Sequence, residues 1–414
     1  MRESIWLLAM CLWLVKTVML SLDSVIVNSI LPITIDFFVI LLLLMSPKLL
    51  RGLIGSKLSL FLFFVNLFLL LSTLVALLNG FSVSNSAVIW LKWFTVQCLF
   101  LLGVVSSNLT RIRKLFPFIV LLSALVHLIA GVLAPYLGLG QEEIDGVIRY
   151  SGLAGKINIL ANFALFFAIY LYVIFDKNKS LTVLALFLFT VIAVFVTGTV
   201  KNALILLLII LYIVFLKSEN KKILMPVIVV FVLPLVFYIF TETAISQRIE
   251  EFKDSGVNVE VAHGEEVGNS LNWRILHWKF LFDDWYGKYK LQGTGIGHYD
   301  KLNGLKTKGG VTFDPHNDWF KFLLELGIIG FLFFCAFMFL IHRELVVLSG
   351  VNLSANALLY AFYSCLIAML AANVIYSLSF FYFFWIYFGF AWHEVHGRLH
   401  FGNRVKERGS AFFI

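Results

Sequence analysis

The sequence is short of charge, proline and cysteine. Charged residues make up only 14% of the chain, and 7 of its 414 residues are proline. A soluble domain needs more charge than this to cover its surface, so we exclude that class. The 4 cysteines all lie inside apolar runs, without metal-ligand or disulfide spacing. We interpret them as small buried side chains.

Long apolar runs fill most of the chain. Hydrophobic residues make up 61% of it, and the mean hydropathy is +0.94. Runs of about 20 apolar residues are long enough to cross a bilayer as helices. The sequence therefore predicts an all-α, polytopic membrane protein with about 12 transmembrane helices. The predicted spans are 5–21, 24–45, 58–78, 86–106, 115–137, 154–175, 181–197, 203–216, 223–241, 319–341, 354–373 and 378–393.

Lysine and arginine concentrate in alternate loops, which predicts the orientation of the chain. The positive-inside rule then places both termini in the cytoplasm, and it explains the net charge of +8 without a nucleic-acid partner. We expect no cleavable signal peptide. The predicted regions are helices 1–9 in 1–241, a large outward loop in 242–318, helices 10–12 in 319–393 and a basic cytoplasmic tail in 394–414.

The large loop at 242–318 is far longer than the other connections. Loops of this size in compact proteins are usually functional or disordered, and this one is too rich in tryptophan and tyrosine for plain disorder. Apolar positions from Leu271 to Phe282 follow a helical spacing. We therefore predict a partly helical loop whose amphipathic helix lies on the outer membrane surface as a cap.

The stretch from Asp314 to Gly330 joins this loop to an apolar run. Asp314 followed by Pro315 is typical of a helix N-cap and first helical residue, which puts His316 and Asn317 in the first turn. Unpaired backbone N–H groups at that end of a helix favour a neutral imidazole, which suits a proton acceptor. The alternative is that His316 only caps the helix.

Few cations stand within or at the outer ends of the predicted spans, and such residues are candidates for function. Snorkelling to lipid headgroups is the alternative for each of them, and the better interpretation for Lys92. Arg274 lies beside Trp273 and Trp278, so a cation–π or lipid-phosphate contact is also possible there. The candidates are Arg149, Lys156, Lys201 and Arg274.

The remaining polar residues predict neither a metal nor a cofactor. The outward side has no Asp-x-Asp motif and no phosphate-cradling loop, and Gly293–Gly297 is better interpreted as a tight turn. His263, His277 and His298 are isolated and are interpreted as structural. Several cations with one histidine suit an anionic, lipid-anchored substrate. The cations would hold a diphosphate, the histidine would accept a proton, and the aromatic loop would stack on sugar rings.

Five blocks in 149–345 resemble, in order, motifs of the O-antigen ligase and polymerase superfamily of bacterial inner membranes. The most specific block begins at His316 and resembles the family pattern His-Asn-x-x-Leu-x-x-x-x-Glu-x-Gly-x-x-Gly, with Phe320 in the place of leucine. Lys201 stands where the family usually has arginine, shifted by one position, so a bidentate clamp is in question. The blocks are 149–161, 196–203, 272–278, 293–297 and 316–330.

The resemblance implies a GT-C-like helical fold and metal-independent transfer of a glycan from undecaprenyl diphosphate at the periplasmic face of the inner membrane. An O-antigen polymerase, inverting at the anomeric carbon, is the expected function. A ligase acting on lipid A–core is the alternative, and a transporter or flippase is a further one. Expected partners are the lipid-linked donor, an acceptor glycan, the membrane and a chain-length regulator. Expected catalytic residues are His316 and Arg274, and expected substrate-binding residues are Arg149, Lys156, Lys201, Asn317 and Trp278.

Overall fold

The computed structural model describes most of the chain as helix. The predicted ninth span, the segment 218–269 and the tail after residue 401 lie outside the described residues. The described residues are 2–18, 30–48, 51, 57–144, 147–154, 156–217, 270–306, 312–375 and 378–401.

Each predicted span within the described residues overlaps a helix, and the helix predicted at 271–282 is present as α9. The place of α9 on the outer membrane surface stays a prediction. The helices are α1 Arg2–Val18, α2 Leu31–Leu44, α3 Lys57–Leu78, α4 Val83–Asn108, α5 Phe116–Leu137, α6 Ile157–Asn178, α7 Leu181–Val196, α8 Val200–Lys217, α9 Ser270–Lys288, α10 Asp318–Ser349, α11 Leu353–Ala368 and α12 Leu378–Phe401.

Among the described residues, α4, α5, α6 and α10 are long and apolar enough to cross a membrane. Five shorter apolar helices accompany them. Helix α10 exposes Leu332, Phe333 and Phe339 while it buries Phe334 and Met338, so one apolar face is turned outward. An exposed apolar face of this kind suits lipid rather than water. These features fit a polytopic membrane protein, and the number of 12 crossings stays a prediction.

Helices α4 and α12 form the closest contact of the bundle. A Cβ atom on Gly103 would clash with the carbonyl oxygen of Ile386, and one on Gly389 would clash with that of Phe100. Small residues let two membrane helices bring their backbones together in this way. Aromatic rings fill the space beside this contact, as where Phe100 meets Phe388 at 5.4 Å between ring centroids.

A short hairpin departs from the predicted all-α fold. Strands β1, Gln141–Ile144, and β2, Val147–Tyr150, pair antiparallel with Glu142 opposite Arg149. The prediction was incomplete because a hairpin of eight paired residues is too short to be recognised among long apolar runs, although Val, Ile and Tyr favour strands. The hairpin brings Arg149 into the buried interior of the protein.

The predicted start of α10 is wrong. The helix begins at Asp318 and its N-cap is Asn317, whose side chain accepts the N–H of Phe320. Asp314 does not cap it, because its Oδ1 accepts the N–H of His316 at 3.0 Å. That bond closes a turn over two residues, an alternative to helix that aspartate commonly offers. His316 consequently lies outside the helix, with a φ of +51°.

The span predicted at 319–341 lies within α10, which has a break at Gly327 that the sequence did not predict. Gly327 has φ +66° and ψ 179°, which no helix contains. The loop that follows α9 fills the break and bonds to both broken ends. Its contacts are Thr294 N–H to Leu324 O, Gly295 N–H to Glu325 O, Ile328 N–H to Lys290 O and Ile329 N–H to Leu291 O.

These bonds satisfy backbone groups that a break inside a membrane helix would otherwise leave unpaired. Gly293 and Gly327 face each other in the junction, and a Cβ atom on either would overlap the backbone of the opposite segment. Gly293, Gly295 and Gly297 all have positive φ, in agreement with the predicted tight turn. The junction therefore fastens α9 and its loop onto α10.

Replacing Gly293 with alanine is expected to destabilise the protein by about 3 kcal/mol, because overlap and a positive φ act together. The Tm of the purified protein in detergent measures this effect. Gly287→Ala is the matched control, since Gly287 lies in α9 with nothing within 4 Å of its would-be Cβ. That control should leave the Tm unchanged or slightly raised. Equal Tm values for both variants would contradict the account of the junction.

Candidate active site

The segment from Phe313 to Asn317 carries His316 and is fastened to α9. His277 donates from Nε2 to the carbonyl oxygen of Phe313 at 3.0 Å. Trp278 donates its indole N–H to the carbonyl oxygen of Pro315 at 2.7 Å. The residues on both sides of Asp314 are thus held by two consecutive residues of the same helix. The cap helix therefore sets the position of the segment that carries the imidazole.

Asp314 is the polar centre of this segment. Lys321 donates from Nζ to its Oδ2 at 2.7 Å, and Asn373 donates from Nδ2 to its Oδ1 at 2.5 Å. The Lys321 ammonium also lies 4.3 Å from the ring centroid of Tyr299. Burial would raise the pKa of Asp314, but Lys321 and the other donors outweigh it and hold that pKa below its usual value. Asp314 is therefore a stable carboxylate.

The segment between α11 and α12 forms the opposite wall. Asp318 is fully buried, and its Oδ2 accepts the N–H groups of Val374 and Ile375 at 2.5 and 2.8 Å. Lys201 reaches the same segment and donates from Nζ to the carbonyl oxygen of Ala371 at 3.4 Å. Charged side chains from α8 and α10 thus converge on one stretch of backbone, next to the segment that carries His316.

Four charged groups act on the imidazole of His316. Burial is the largest effect and lowers its pKa, Asp314 raises it, and Arg274, Lys201 and Lys321 each lower it further. The net pKa lies below the usual value, so the ring is neutral at neutral pH and can accept a proton. The structure agrees with the predicted lowering of the pKa of His316. It does not agree with the predicted cause, the N-terminal end of a helix, since His316 precedes the N-cap of α10.

Trp273 lies next to this imidazole, with 6.0 Å between ring centroids. It also stacks on His277 at 4.9 Å and meets Phe313 edge-on at 5.2 Å. The three aromatic partners belong to α9 and to the segment that carries His316. An aromatic wall of this kind offers a flat apolar face beside a polar group.

Arg149 lies beside the turn that precedes α8, the helix whose second residue is Lys201. Its side chain is buried and packs over Gly198, where a Cβ atom would lie 3.6 Å from the Cγ of Arg149. Gly198 belongs to the turn between α7 and α8. The structure thus places Arg149 against the turn that leads into α8, and the charge of Lys201 in that helix interacts with the charge of Arg274.

Three predicted substrate-binding residues have different surroundings. Lys156 is exposed before α6, and its side chain makes no cap hydrogen bond there. Asn317 uses its side-chain oxygen as the N-cap of α10. Trp278 uses its indole N–H to hold Pro315, and its ring lies 5.9 Å from that of Phe320. Asn317 and Trp278 therefore support the geometry of the segment.

Sequence reasoning missed Asp314, Lys321 and Asn373 as members of the site. Lys321 is a charge in a largely apolar run of the sequence, and that signal could have found it. Asn373 gave no comparable signal, because its distance in sequence from Asp314 is 59 residues. Lys92, interpreted as a snorkelling lysine, has a charge that interacts with those of Lys321 and Asp314.

The histidines interpreted as structural have backbone partners where they are described. His277 is fully buried, accepts the N–H of Leu305 at Nδ1, and has a pKa lowered to about 4, mainly by burial. Both ring nitrogens of His298 face carbonyl oxygens, those of Ile296 and Ser82. His263 lies outside the described residues.

The fold and the site together define a class of protein: a helical membrane protein with a polar cluster, in which a neutral imidazole and several cations lie beside the aromatic helix α9. A family model described as O-antigen ligase matches residues 184–335. The match includes α7, α8, α9 and the first part of α10, and it excludes Arg149 and Lys156. It confirms the resemblance to the O-antigen ligase and polymerase superfamily. No curated protein matches the chain.

Proposed function

We propose that the chain transfers a glycan from a lipid-linked diphosphate donor to a sugar hydroxyl, and that it works as an O-antigen or polysaccharide polymerase. The observation that carries the proposal is that Arg274, Lys201 and Lys321 lie close enough to His316 for their charges to act on its imidazole. A base beside several cations suits a reaction in which a hydroxyl loses its proton and a diphosphate leaves. The lipid would be undecaprenyl diphosphate, as in the family that the chain resembles.

His316 acts as the general base in this proposal. The acceptor hydroxyl oxygen attacks the anomeric carbon of the donor sugar while His316 takes the hydroxyl proton. The bond between that carbon and the phosphate oxygen breaks, and the lipid diphosphate leaves with both bonding electrons. Direct attack of this kind inverts the anomeric carbon. A positioned base contributes typically 10²- to 10⁴-fold to such a step.

Arg274 and Lys201 hold the diphosphate. Arg149 lies nearby, beside the turn between α7 and α8. Charge-assisted hydrogen bonds to phosphate oxygens are about twice as strong as neutral ones, and they stabilise the negative charge that develops on the leaving group. Arg274 is counted as catalytic for this reason. Trp273 would present its ring to a sugar next to the base.

The proposed location and orientation of the protein follow from the charge pattern of the sequence and from its resemblance to the family. The site faces the periplasm, both termini are cytoplasmic, and the protein lies in the bacterial inner membrane with a chain-length regulator as a possible partner. The acceptor of a polymerase is the non-reducing end of another lipid-linked repeat. A ligase would use the same base and the same cations with lipid A–core as its acceptor, so it is the alternative function.

A gene deletion distinguishes these two functions on a lipopolysaccharide gel. For a polymerase, we expect the ladder to disappear while core carrying a single repeat remains, because ligation continues without polymerisation. For a ligase, core alone would remain and lipid-linked polymer would accumulate. Loss of both the ladder and the single repeat, with lipid-linked repeats retained on the cytoplasmic side, would instead support a transporter or flippase. Complementation by the intact gene is the control for each outcome.

A further inference from the structure

The segment that carries His316 has an unusual backbone conformation. The φ of His316 is +51°, in the left-handed region, where residues with a Cβ atom are strained. Strained conformations persist only when the surrounding structure fixes them, and they concentrate at functional sites. Some interaction must therefore hold this residue in place.

Asp314 supplies that interaction through both of its carboxylate oxygens. Oδ1 accepts the N–H of His316 at 3.0 Å and Nδ2 of Asn373 at 2.5 Å, while Oδ2 accepts Nζ of Lys321 at 2.7 Å. The first bond closes the turn at His316. The other two tie that turn to α10 and to the segment between α11 and α12.

Lys321 is itself fixed, which makes the arrangement rigid. Its side chain is only 9% exposed, and its ammonium group lies over the ring of Tyr299 as well as on Asp314. A short ion pair between groups this well buried holds its geometry better than an exposed one. Removing one partner leaves the other charge buried and uncompensated.

The geometry points to Asp314 as the positioning residue of His316: its carboxylate, anchored by Lys321 and Asn373, holds the imidazole-bearing turn and places a negative charge beside the ring. This inference rests on the proposed function, since it concerns how the general base is held and charged. Asp314 acts through His316 and touches no substrate in this account.

The charges around His316 make the inference measurable in a pH profile. Arg274 from α9, Lys201 from α8 and Lys321 from α10 disfavour the imidazolium, whereas Asp314 favours it. A base must be neutral to work, so activity falls as the pH drops through the pKa of His316. Removing the Asp314 charge lowers that pKa, and the acid limb of kcat/KM moves to lower pH. Removing the Lys321 charge moves it to higher pH.

The experiment measures kcat, KM for the lipid-linked donor and the pH profile of purified variants. Asp314→Ala should lose about 100-fold in kcat with KM within about twofold, because the base is misplaced while the diphosphate cations remain. Asp314→Asn should recover most of that loss, since its amide oxygen can still accept the N–H of His316. It should nevertheless shift the acid limb down by about one pH unit. Asp283→Asn, an exposed aspartate of α9, is the matched control.

An unshifted acid limb in Asp314→Asn, together with unchanged kcat in Asp314→Ala, overturns the inference. If the Asp314 variants do not fold, the Lys321→Met variant tests the inference. The inference requires the acid limb of its kcat/KM profile to move to higher pH. An acid limb that is unchanged or moves to lower pH overturns it. His316→Ala separates this result from the proposed function. An inactive His316→Ala beside fully active Asp314 variants rejects the positioning role and leaves the general base in place.

Discussion

Replacing His316 with alanine is expected to reduce glycan transfer by about 100-fold or more, because the acceptor hydroxyl loses its general base. In cells, the high-molecular-weight ladder should disappear from the lipopolysaccharide gel. The amount of folded protein in the membrane should stay normal, since alanine has a Cβ atom like histidine at this φ of +51° and the substitution removes no bond that fastens the segment.

His342 provides the matched histidine control for this prediction. It lies far along α10 from His316, and its Nε2 contacts the hydroxyl of Tyr363 at 3.0 Å. His342→Ala should keep the full ladder and a normal amount of protein. A full ladder in His316→Ala would remove the base from the mechanism. Loss of the ladder in both variants would indicate a general effect of histidine substitution on the fold.

Arg274→Ala is expected to lower kcat/KM for the lipid-linked donor by roughly 10- to 100-fold. Hydrogen bonds to charged groups contribute about 1.5–3 kcal/mol, and each 1.4 kcal/mol corresponds to a factor of 10. The loss should be seen in both KM and kcat, because the diphosphate gains charge as it leaves. Arg274→Lys should recover only part of the activity, since an ammonium cannot hold two phosphate oxygens side by side.

Lys279 is the matched cation on the same helix, five positions further on and exposed. Lys279→Ala removes one positive charge from α9 without touching the site, so its kcat/KM should stay within about twofold of the wild type. Equal losses in Arg274→Ala and Lys279→Ala would mean that the total charge of α9 matters rather than a specific diphosphate contact.

Much of the helical layout was predictable because a membrane helix is encoded by a local run of apolar residues. The apolar runs that became α4, α5 and α6 each coincide with the predicted spans to within a few residues. The cap helix α9 was predicted from apolar spacing at 271–282 and extends from Ser270 to Lys288. These elements depend on composition and spacing, which the sequence shows directly.

Two departures from prediction, both in α10, depend on contacts between distant parts of the chain. The break at Gly327 exists because residues 290–295 supply bonds to both broken ends. The apolar pattern continues through the break, so no local signal reveals it. The true start of α10 likewise depends on which of Asp314 and Asn317 caps the helix, and Asn373 and Lys321 decide this by engaging Asp314.

The sequence indicated which residues belong to the candidate site better than it indicated how those residues are arranged. His316, Arg274 and Lys201 interact electrostatically, as the proposed chemistry requires. Asn317 and Trp278 support the segment that carries His316, and their expected contact with substrate stays a prediction. Polar residues next to a catalytic candidate often form hydrogen bonds with the backbone. The sequence alone does not distinguish this role from substrate binding.

The release of undecaprenyl diphosphate by purified protein tests the central claim most directly. Wild-type protein, given the lipid-linked donor and an acceptor glycan, should release the lipid diphosphate in step with formation of the new glycosidic bond. His316→Ala should bind the donor with unchanged affinity and release about 100-fold less. Release by His316→Ala at the wild-type rate, or no release by either protein, would contradict the claim that this site performs glycosyl transfer.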